Sequence, residues 1–367
     1  MKTGLDESMN TDGCNGDAQP LVSIVIPNYN GEKCIRQCLL TVFRTVYPRI
    51  EIILFDDNSS DESAEIIRRE FGCYSNLRLI VNKVNIGPAG ARNTALKYAK
   101  GEYVAFLDND DEVDPFWITE AIKIFRNNKG VGGVFGKLME LTDKRKLRAA
   151  GIYLIPYTVW GFPVGLGEED LGQYDNRIRY TCAVSTGLIV RKEIMIRIGG
   201  FDERLRCLTE DLDFSWRVWL AGYKILFSPN SIVFHLTRSP KEREIVQGVT
   251  VININFHLTK NSIRSMLKNY EKNNLNKYVT WFLVLTCLRM LMALKENNPT
   301  VIIGIVRGIL WNLINMRDTL QHRRFVQSRV RRVSDACLFE KIMIKGSPLD
   351  TYRNLRQKLN GNDDREL

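Results

Sequence analysis

The sequence predicts a mixed α/β fold with a mainly parallel sheet, extended at its C-terminal end by a basic helical region. Three observations predict it. Short, continuous apolar runs recur between residues 21 and 140, each followed by helix-forming sequence, which is the pattern of strands buried on both faces. Polar clusters at 27–31, 56–61 and 108–111 end three of these runs. Beyond residue 240 the short runs give way to two longer apolar segments among basic residues.

The elements follow in order. Residues 1–20 are polar and aperiodic and read as a disordered tail. Leu21–Ile26 is a strand ended by Pro27-Asn28-Tyr29-Asn30-Gly31, and residues 32–46 form a helix stopped near Pro48. Ile50–Phe55 is a second strand, 62–71 a helix, Leu77–Val81 a third strand and Ala89–Ala99 a helix closed by Gly101. Tyr103–Leu107 is a fourth strand, running into Asp108-Asn109-Asp110-Asp111. Residues 141–180 carry scattered glycines and the acidic run 168–170, and read as a long irregular loop of functional or mobile character. Ser185–Lys192 then reads as a strand, Glu193–Ile198 as a short helix, Leu212–Ala221 as a helix opened by Glu210-Asp211, and Tyr223–Phe227 and Ile232–Phe234 as separate strands. In a doubly covered parallel sheet the ligand sits beyond the carboxyl ends of the strands. The three polar clusters therefore converge on one rim.

Composition narrows the function. The net charge is +10, and residues 241–367 alone hold 22 Lys/Arg against 11 Asp/Glu. This one-sided charge points to an anionic partner surface. Two apolar stretches lie in the same region, so a membrane is favoured over nucleic acid, for which no recognition motif is present. The eight cysteines form no C-x-x-C pair and only three histidines occur, which argues against a zinc site and for reduced thiols in the cytosol.

The carboxylates carry the chemistry. Asp108 and Asp110 stand two residues apart, so in an extended segment they point the same way. Hard oxygen ligands at a strand end suit Mg²⁺ or Mn²⁺. The bland alternative is a solvated acidic turn. Asp57 can accept hydrogen bonds from a base or ribose, or cap the next helix. Glu210-Asp211 opens a helix, where a carboxylate is well held to act as a base, or simply caps it beside Thr209. His235 can complete a metal site or be a buried structural histidine.

Taken in order, Pro27-Asn28-Tyr29-Asn30, Phe55–Asp61, Asn85–Asn93, Phe106–Asp111, Gly199–Glu203 and Glu210-Asp211 closely resemble the family 2 glycosyltransferases over residues 21–236. The glycine turn and the later histidine resemble in particular the rhamnosyltransferase-like and galactofuranosyltransferase-like members. The resemblance implies a Rossmann-like GT-A fold and an inverting, single-displacement transfer from a nucleotide-diphosphate sugar, UDP-, dTDP- or GDP-linked. By motif position it implies that Pro27, Tyr29 and Asp57 form the nucleoside pocket. Arg92 contacts the donor near uridine or diphosphate, and Asp108 meets the ribose. Asp110 and His235 hold Mn²⁺ or Mg²⁺, Asp211 is the base, and Glu210 assists beside it. Gly87 and Gly90 let the backbone approach the donor. The Q-x-x-R-W motif of processive synthases is absent from its expected place; Gln321–Phe325 mimics it far downstream. Transfer of one or a few sugars per acceptor is expected.

The C-terminal region, 241–367, is expected to be helical, with apolar helices at 278–294 and 301–314. Each is short for a span and carries an arginine. Three arrangements fit: a pair of interfacial helices, a short transmembrane hairpin, or a helical subdomain. The six arginines from Arg317 to Arg332 suit anionic head groups or a lipid diphosphate.

The expectation is thus a metal-dependent glycosyltransferase domain, 21–240, at the cytoplasmic face of the membrane, peripheral or hairpin-anchored, acting on a lipid-linked or cell-surface glycan. One rival is a polyprenyl-phosphate glycosyltransferase, which needs no base. The other is a catalytically idle sugar-nucleotide-binding subunit of a membrane complex.

Overall fold

A computed structural model describes residues 19–176, 179–237, 250–348 and 350. Most of the expected tail, the segment that opens the basic region and the chain beyond 350 lie outside the described residues.

The apolar runs form the strands the sequence calls for. β1 (Val22–Asn28), β2 (Ile50–Asp56), β3 (Leu77–Val81) and β4 (Tyr103–Phe106) pair in parallel, in the order β3-β2-β1-β4. The helices between them are α1 (Ile35–Phe43), α2 (Ser63–Phe71) and α3 (Gly87–Leu96). α3 packs on β1 and β2. It starts two residues before the expected Ala89, because Pro88 fits its first turn, where no intrahelical N–H bond is lost.

The sheet then turns mixed. β5 (Asp111–Val113), α4 (Trp117–Asn127), β6 (Val131–Glu140), β10 (Leu188–Arg191), α5 (Lys192–Arg197), α6 (Glu210–Leu220) and β11 (Lys224–His235) complete the core, and β10 lies antiparallel between β4 and β6. The two strands expected at 223–227 and 232–234 are one strand, β11, whose register against β6 slips between Ser228 and Ile232. Pro229 lies at that slip, where a missing N–H is tolerated. β11 also pairs with β5, setting His235 opposite Asp111. The pairing thus brings the histidine to the acidic cluster.

Residues 141–180 correct the sequence expectation. They contain β7 (Leu147–Ala149), β8 (Ile152–Ile155) and β9 (Trp160–Pro163), and β8 and β9 form a hairpin. Strands this short are hidden by the positive-φ glycines 151, 165 and 167 around them. The hairpin region serves as a platform for the C-terminal helices. Ser262 donates to the Thr158 carbonyl at 2.5 Å, and the Tyr270 hydroxyl donates to the Pro156 carbonyl at 2.7 Å.

Those helices are α7 (Val251–Asn269), α8 (Lys272–Lys295), α9 (Pro299–Ile314), α10 (Met316–Phe325) and α11 (Asp335–Lys341). α9 crosses α7 at Gly304 and Gly308. A Cβ at Gly304 would lie 2.6 Å from the Ile252 carbonyl oxygen, and one at Gly308 would lie 2.8 Å from Thr259 Cβ. The Gly304-x-x-x-Gly308 spacing is therefore an internal packing device. Lys272–Lys295 is long and apolar enough to cross a membrane; α9 with Met316–Val330 qualifies only as a pair bent by 68°. Outward faces carry Trp281, Leu283, Val284, Leu291 and Leu294 on α8 and Ile303, Val306, Leu310, Leu313 and Ile314 on α9. Arg289 instead turns inward, donating to Asn255 Oδ1 at 2.7 Å and covering the Trp160 ring. Of the arginine run, Arg323 donates to the Leu267 and Tyr270 carbonyls, and Arg331 to the Asn269 carbonyl. These two satisfy the open end of α7.

α7 joins the core through a buried ion network. Asp202 accepts from Arg264 Nε at 2.8 Å and from Lys268, while Asp213 accepts from Arg217 Nε at 2.9 Å and Lys268 Nζ at 3.1 Å. Burial alone would raise Asp202, but Lys268 and Arg264 outweigh it and hold its carboxyl well below the usual range. Asp213 is lowered too, by Lys268 and Arg217 against burial. Removing one carboxylate strands buried cations. Asp202→Asn is expected to cost about 3–5 kcal/mol of unfolding free energy in urea titrations. Both folded values are depressed, so this stabilisation is complete above about pH 4 and is lost as pH falls further. A cost below about 1 kcal/mol would be that of a surface ion pair and would contradict the account.

Candidate active site

The carboxyl ends of β1, β2 and β4 meet at one rim. Asn28 donates to Asp56 Oδ2 at 2.7 Å, and Asn109 donates to Asn28 Oδ1 at 2.8 Å. Gly31 lies hard against this lattice: a Cβ there would sit 2.2 Å from Asn28 Oδ1 and 2.3 Å from Asn109 Nδ2. Above the rim opens a cleft of about 730 Å³, lined by the nine side chains to which the sequence assigns a role: Pro27, Tyr29, Asp57, Arg92, Asp108, Asp110, Glu210, Asp211 and His235.

Pro27, Tyr29 and Asp57, expected at the nucleoside, all line the cleft. Asp57 is buried and does not cap the helix that follows it. Its Oδ2 accepts from the Gly87 N–H at 2.7 Å and its Oδ1 from the Ile86 N–H at 2.9 Å. It thereby fixes the start of α3. Gly87 needs its left-handed φ of 79° there, and it lines the cleft; Gly90 instead packs against Ile86 and does not.

One end of the cleft is acidic. Ligand atoms of Asp108, Asp110 and His235 all lie within 4.8 Å of one another. Asp108, expected at the ribose, thus joins Asp110 and His235. His235 Nδ1 is 2.7 Å from Asp111 Oδ1 and 3.7 Å from Asp110 Oδ1. Burial would lower the imidazole, but Asp111, Asp110 and Asp108 raise it to about 9. Asp111 is itself pushed up to about 7 by burial and by Asp108 and Asp110, against the pull of His235. Two carboxylates and an imidazole form a donor set that suits Mn²⁺, which accepts nitrogen alongside oxygen, better than Mg²⁺.

Arg92, expected as a donor contact, lines the cleft and is also tied to two of its carboxylates. It is only 3% exposed, and donates to Asp108 Oδ1 at 2.7 Å and Glu210 Oε1 at 2.9 Å. It is a buried strut between the acidic end of the cleft and the helix that bears the base candidate. Thr186 adds a hydroxyl to Asp108 Oδ2 at 2.9 Å.

Glu210 and Asp211 open α6. Thr209 occupies the cap position without a side-chain cap bond. Asp211 Oδ1 accepts from the Leu212 N–H at 2.8 Å, and Oδ2 from the Ser185 N–H at 3.3 Å. Burial raises Asp211, opposed by Arg92. Burial and the Asp211 charge push Glu210 up to about 8, again against Arg92. Two adjacent buried carboxylates do not ionise independently, and Arg92 steadies the pair.

Sequence reasoning missed Asp111, which is present in the quoted acidic cluster but carries no assigned role. It also missed the far wall of the cleft, built by Arg206, Cys207 and Leu208 and by Asn253, Ile254 and His257 of α7. Thr250, whose side chain accepts from the Asn253 N–H at 3.3 Å, is the one local signal for the start of α7.

This fold and cleft have the form expected of a nucleotide-sugar transferase domain. Residues 23–191 match the family model described as glycosyl transferase family 2. The match runs from β1 to β10, and the fold is of the GT-A type. It is 34% identical over 150 residues to UDP-Glc:alpha-D-GlcNAc-diphosphoundecaprenol beta-1,3-glucosyltransferase WfgD of Escherichia coli, covering 36% of this chain and 57% of that protein. Among solved structures it is similar to GalNAc-T7 with UDP, GalNAc and Mn²⁺, at TM-score 0.60 and 18% identity, over 89% of this chain and 57% of that one. It is also similar to S. aureus TarS 1–349 in complex with UDP-GlcNAc, at TM-score 0.56 and 18% identity, over 94% of this chain and 93% of that one. These structural likenesses show the fold. The chain spans about half the length of curated relatives it matches, 37%, 50% and 57% for three of them.

Proposed function

We propose that the protein is an inverting, metal-dependent glycosyltransferase that moves one sugar from a nucleoside-diphosphate donor to a hydroxyl of a lipid-linked glycan. The observation that carries this reading is the meeting, in one cleft, of the Asp108–Asp110–His235 cluster and the Glu210–Asp211 pair, joined by Arg92. The donor's nucleoside lies along Pro27, Tyr29 and Asp57. Asp108, Asp110 and His235 would hold Mn²⁺ or Mg²⁺, which supplies neutralising charge for the departing diphosphate. Asp211 takes the proton from the acceptor hydroxyl as its oxygen bonds to the anomeric carbon. The bond from that carbon to the diphosphate breaks, and nucleoside diphosphate leaves with its electron pair. Glu210, held by Arg92, orients the pair.

The acceptor class draws support from the E. coli relative, whose name specifies a diphosphoundecaprenol-linked sugar. The outward apolar faces of α8 and α9 support attachment at the cytoplasmic membrane face, peripherally or through a short hairpin. The Gly199-Gly200 turn and His235 make dTDP-rhamnose and UDP-galactofuranose part of the donor panel, beside UDP-glucose, UDP-GlcNAc and GDP-mannose. The test is the product itself. Incubation with each donor and a GlcNAc-diphospholipid in detergent, followed by NMR of the new linkage, is expected to give one active donor with inverted anomeric configuration. Retained configuration would contradict the single-displacement reading.

A further inference from the structure

The peptide between Asp202 and Thr209 forms a strap across the cleft mouth. Arg206 and Leu208 adopt left-handed backbone, with φ of 66° and 73°, a conformation that residues bearing a Cβ adopt only when their surroundings impose it. The surroundings here come from α7, outside the family match. Lys260 Nζ donates to the carbonyls of Arg204 at 2.7 Å and Leu205 at 3.2 Å, and Asn261 Nδ2 donates to that of Cys207 at 2.7 Å. From the other side, the Ala89 N–H at the start of α3 donates to the Arg206 carbonyl at 3.2 Å. The strap is therefore fixed at both flanks.

This arrangement places one side chain over the cleft. Arg206 is exposed and lines the cleft, with Nη2 2.7 Å from Asn85 Oδ1. Its aliphatic stem crosses Gly87, where a Cβ would meet Arg206 Cγ at 2.6 Å. The other guanidinium of the cleft, Arg92, is already committed to Asp108 and Glu210. His257 is held neutral, since burial and the nearby Lys260 and Arg206 lower it to about 4. Among the described residues lining the cleft, Arg206 is the cation with no carboxylate partner. A nucleoside diphosphate brings at least two negative charges to a cleft already rich in carboxylates, and a planar guanidinium suits phosphate oxygens.

We propose that Arg206, held out by the strap, binds the phosphates of the nucleotide donor. The proposal rests on the donor reading above. It predicts that Arg206 exchanges Asn85 for phosphate oxygens on binding, so its contribution scales with phosphate charge and is absent for a bare nucleoside.

Calorimetric titration of the full chain tests this. UDP, GDP and dTDP are first screened with Mn²⁺ to find the base bound. The matching diphosphate, monophosphate and nucleoside are then compared with native protein, Arg206→Gln and Arg206→Lys, each with Mn²⁺ and with chelator. Arg206→Gln is expected to weaken the diphosphate by about tenfold or more, in proportion to one charge-assisted contact. Nucleoside affinity should stay within about twofold, with Arg206→Lys in between. Diphosphate affinity unchanged in Arg206→Gln, or an equal loss for diphosphate and nucleoside, would overturn the role of Arg206 while leaving the donor reading intact. Native protein that binds none of the three diphosphates would overturn the donor reading, and the role of Arg206 with it.

Discussion

Asp211→Asn is expected to lower kcat by about 100- to 10,000-fold, the range of a positioned general base, with little change in KM for the donor. The substitution preserves size and the shorter of the two hydrogen bonds Asp211 accepts, from the Leu212 N–H at 2.8 Å; the 3.3 Å bond from the Ser185 N–H is lost, because an amide nitrogen does not accept. Above all it removes the capacity to take a proton. Because burial raises Asp211, the native acid limb of kcat/KM should lie above the ordinary aspartate value of about 4. Activity is present while the carboxylate is ionised and falls as pH drops through that raised value. The variant should be uniformly slow, with this limb gone. If instead Asp211→Asn transferred sugar at near-native rate, the acceptor would not need deprotonation, and a phosphate acceptor would be the better reading.

Asp110→Asn should act at the other end of the cleft. It removes one of the two carboxylates within ligand distance of His235, so Mn²⁺ binding is expected to weaken by more than about 100-fold, beyond the loss typical of an outer partner. Asp111→Asn supplies the comparison: Asp111 braces the imidazole at 2.7 Å, and an outer carboxylate of that kind typically changes affinity about 10- to 100-fold. Manganese electron paramagnetic resonance reads both directly, without a turnover assay. Equal, small losses in the two variants would remove the cluster as a metal centre.

The first half of the fold is legible because its physics is local. β1, β2 and β4 are short apolar runs buried on both faces, and each ends in polar residues that have nowhere to go but the rim. β6 escapes that reading, since Gly132, Gly133 and Gly136 break its apolar run. These glycines are required by packing from elsewhere: a Cβ at Gly136 would lie 2.3 Å from the Ser231 carbonyl oxygen. α7 is hidden for a different reason. Its most buried side chains include Asn261, Arg264, Lys268 and Asn269, so a search for an apolar face finds none. Their burial is explained by partners far away in sequence: Asp202 and Asp213 for Arg264, Lys268 and Asn269, and the Cys207 carbonyl for Asn261.

The site divides in the same way. Motif order brings all nine residues to one cleft, but not what each touches. Arg92 is assigned a donor contact by motif position, which does not show its carboxylate partners. Its partners Asp108 and Glu210 are 16 and 118 residues distant. Arg206 carries no signal at all, because its position depends on a strap held by α7.

The central claim is that the cleft breaks the sugar–diphosphate bond with the help of a divalent cation held by Asp108, Asp110 and His235. Release of nucleoside diphosphate from the active donor, measured with Mn²⁺, with Mg²⁺ and with chelator in the presence of a lipid-linked acceptor, tests it most directly. The account predicts release that requires the metal, is fastest with Mn²⁺, and is lost in Asp110→Asn. Release at the same rate in chelator and in Asp110→Asn would contradict it.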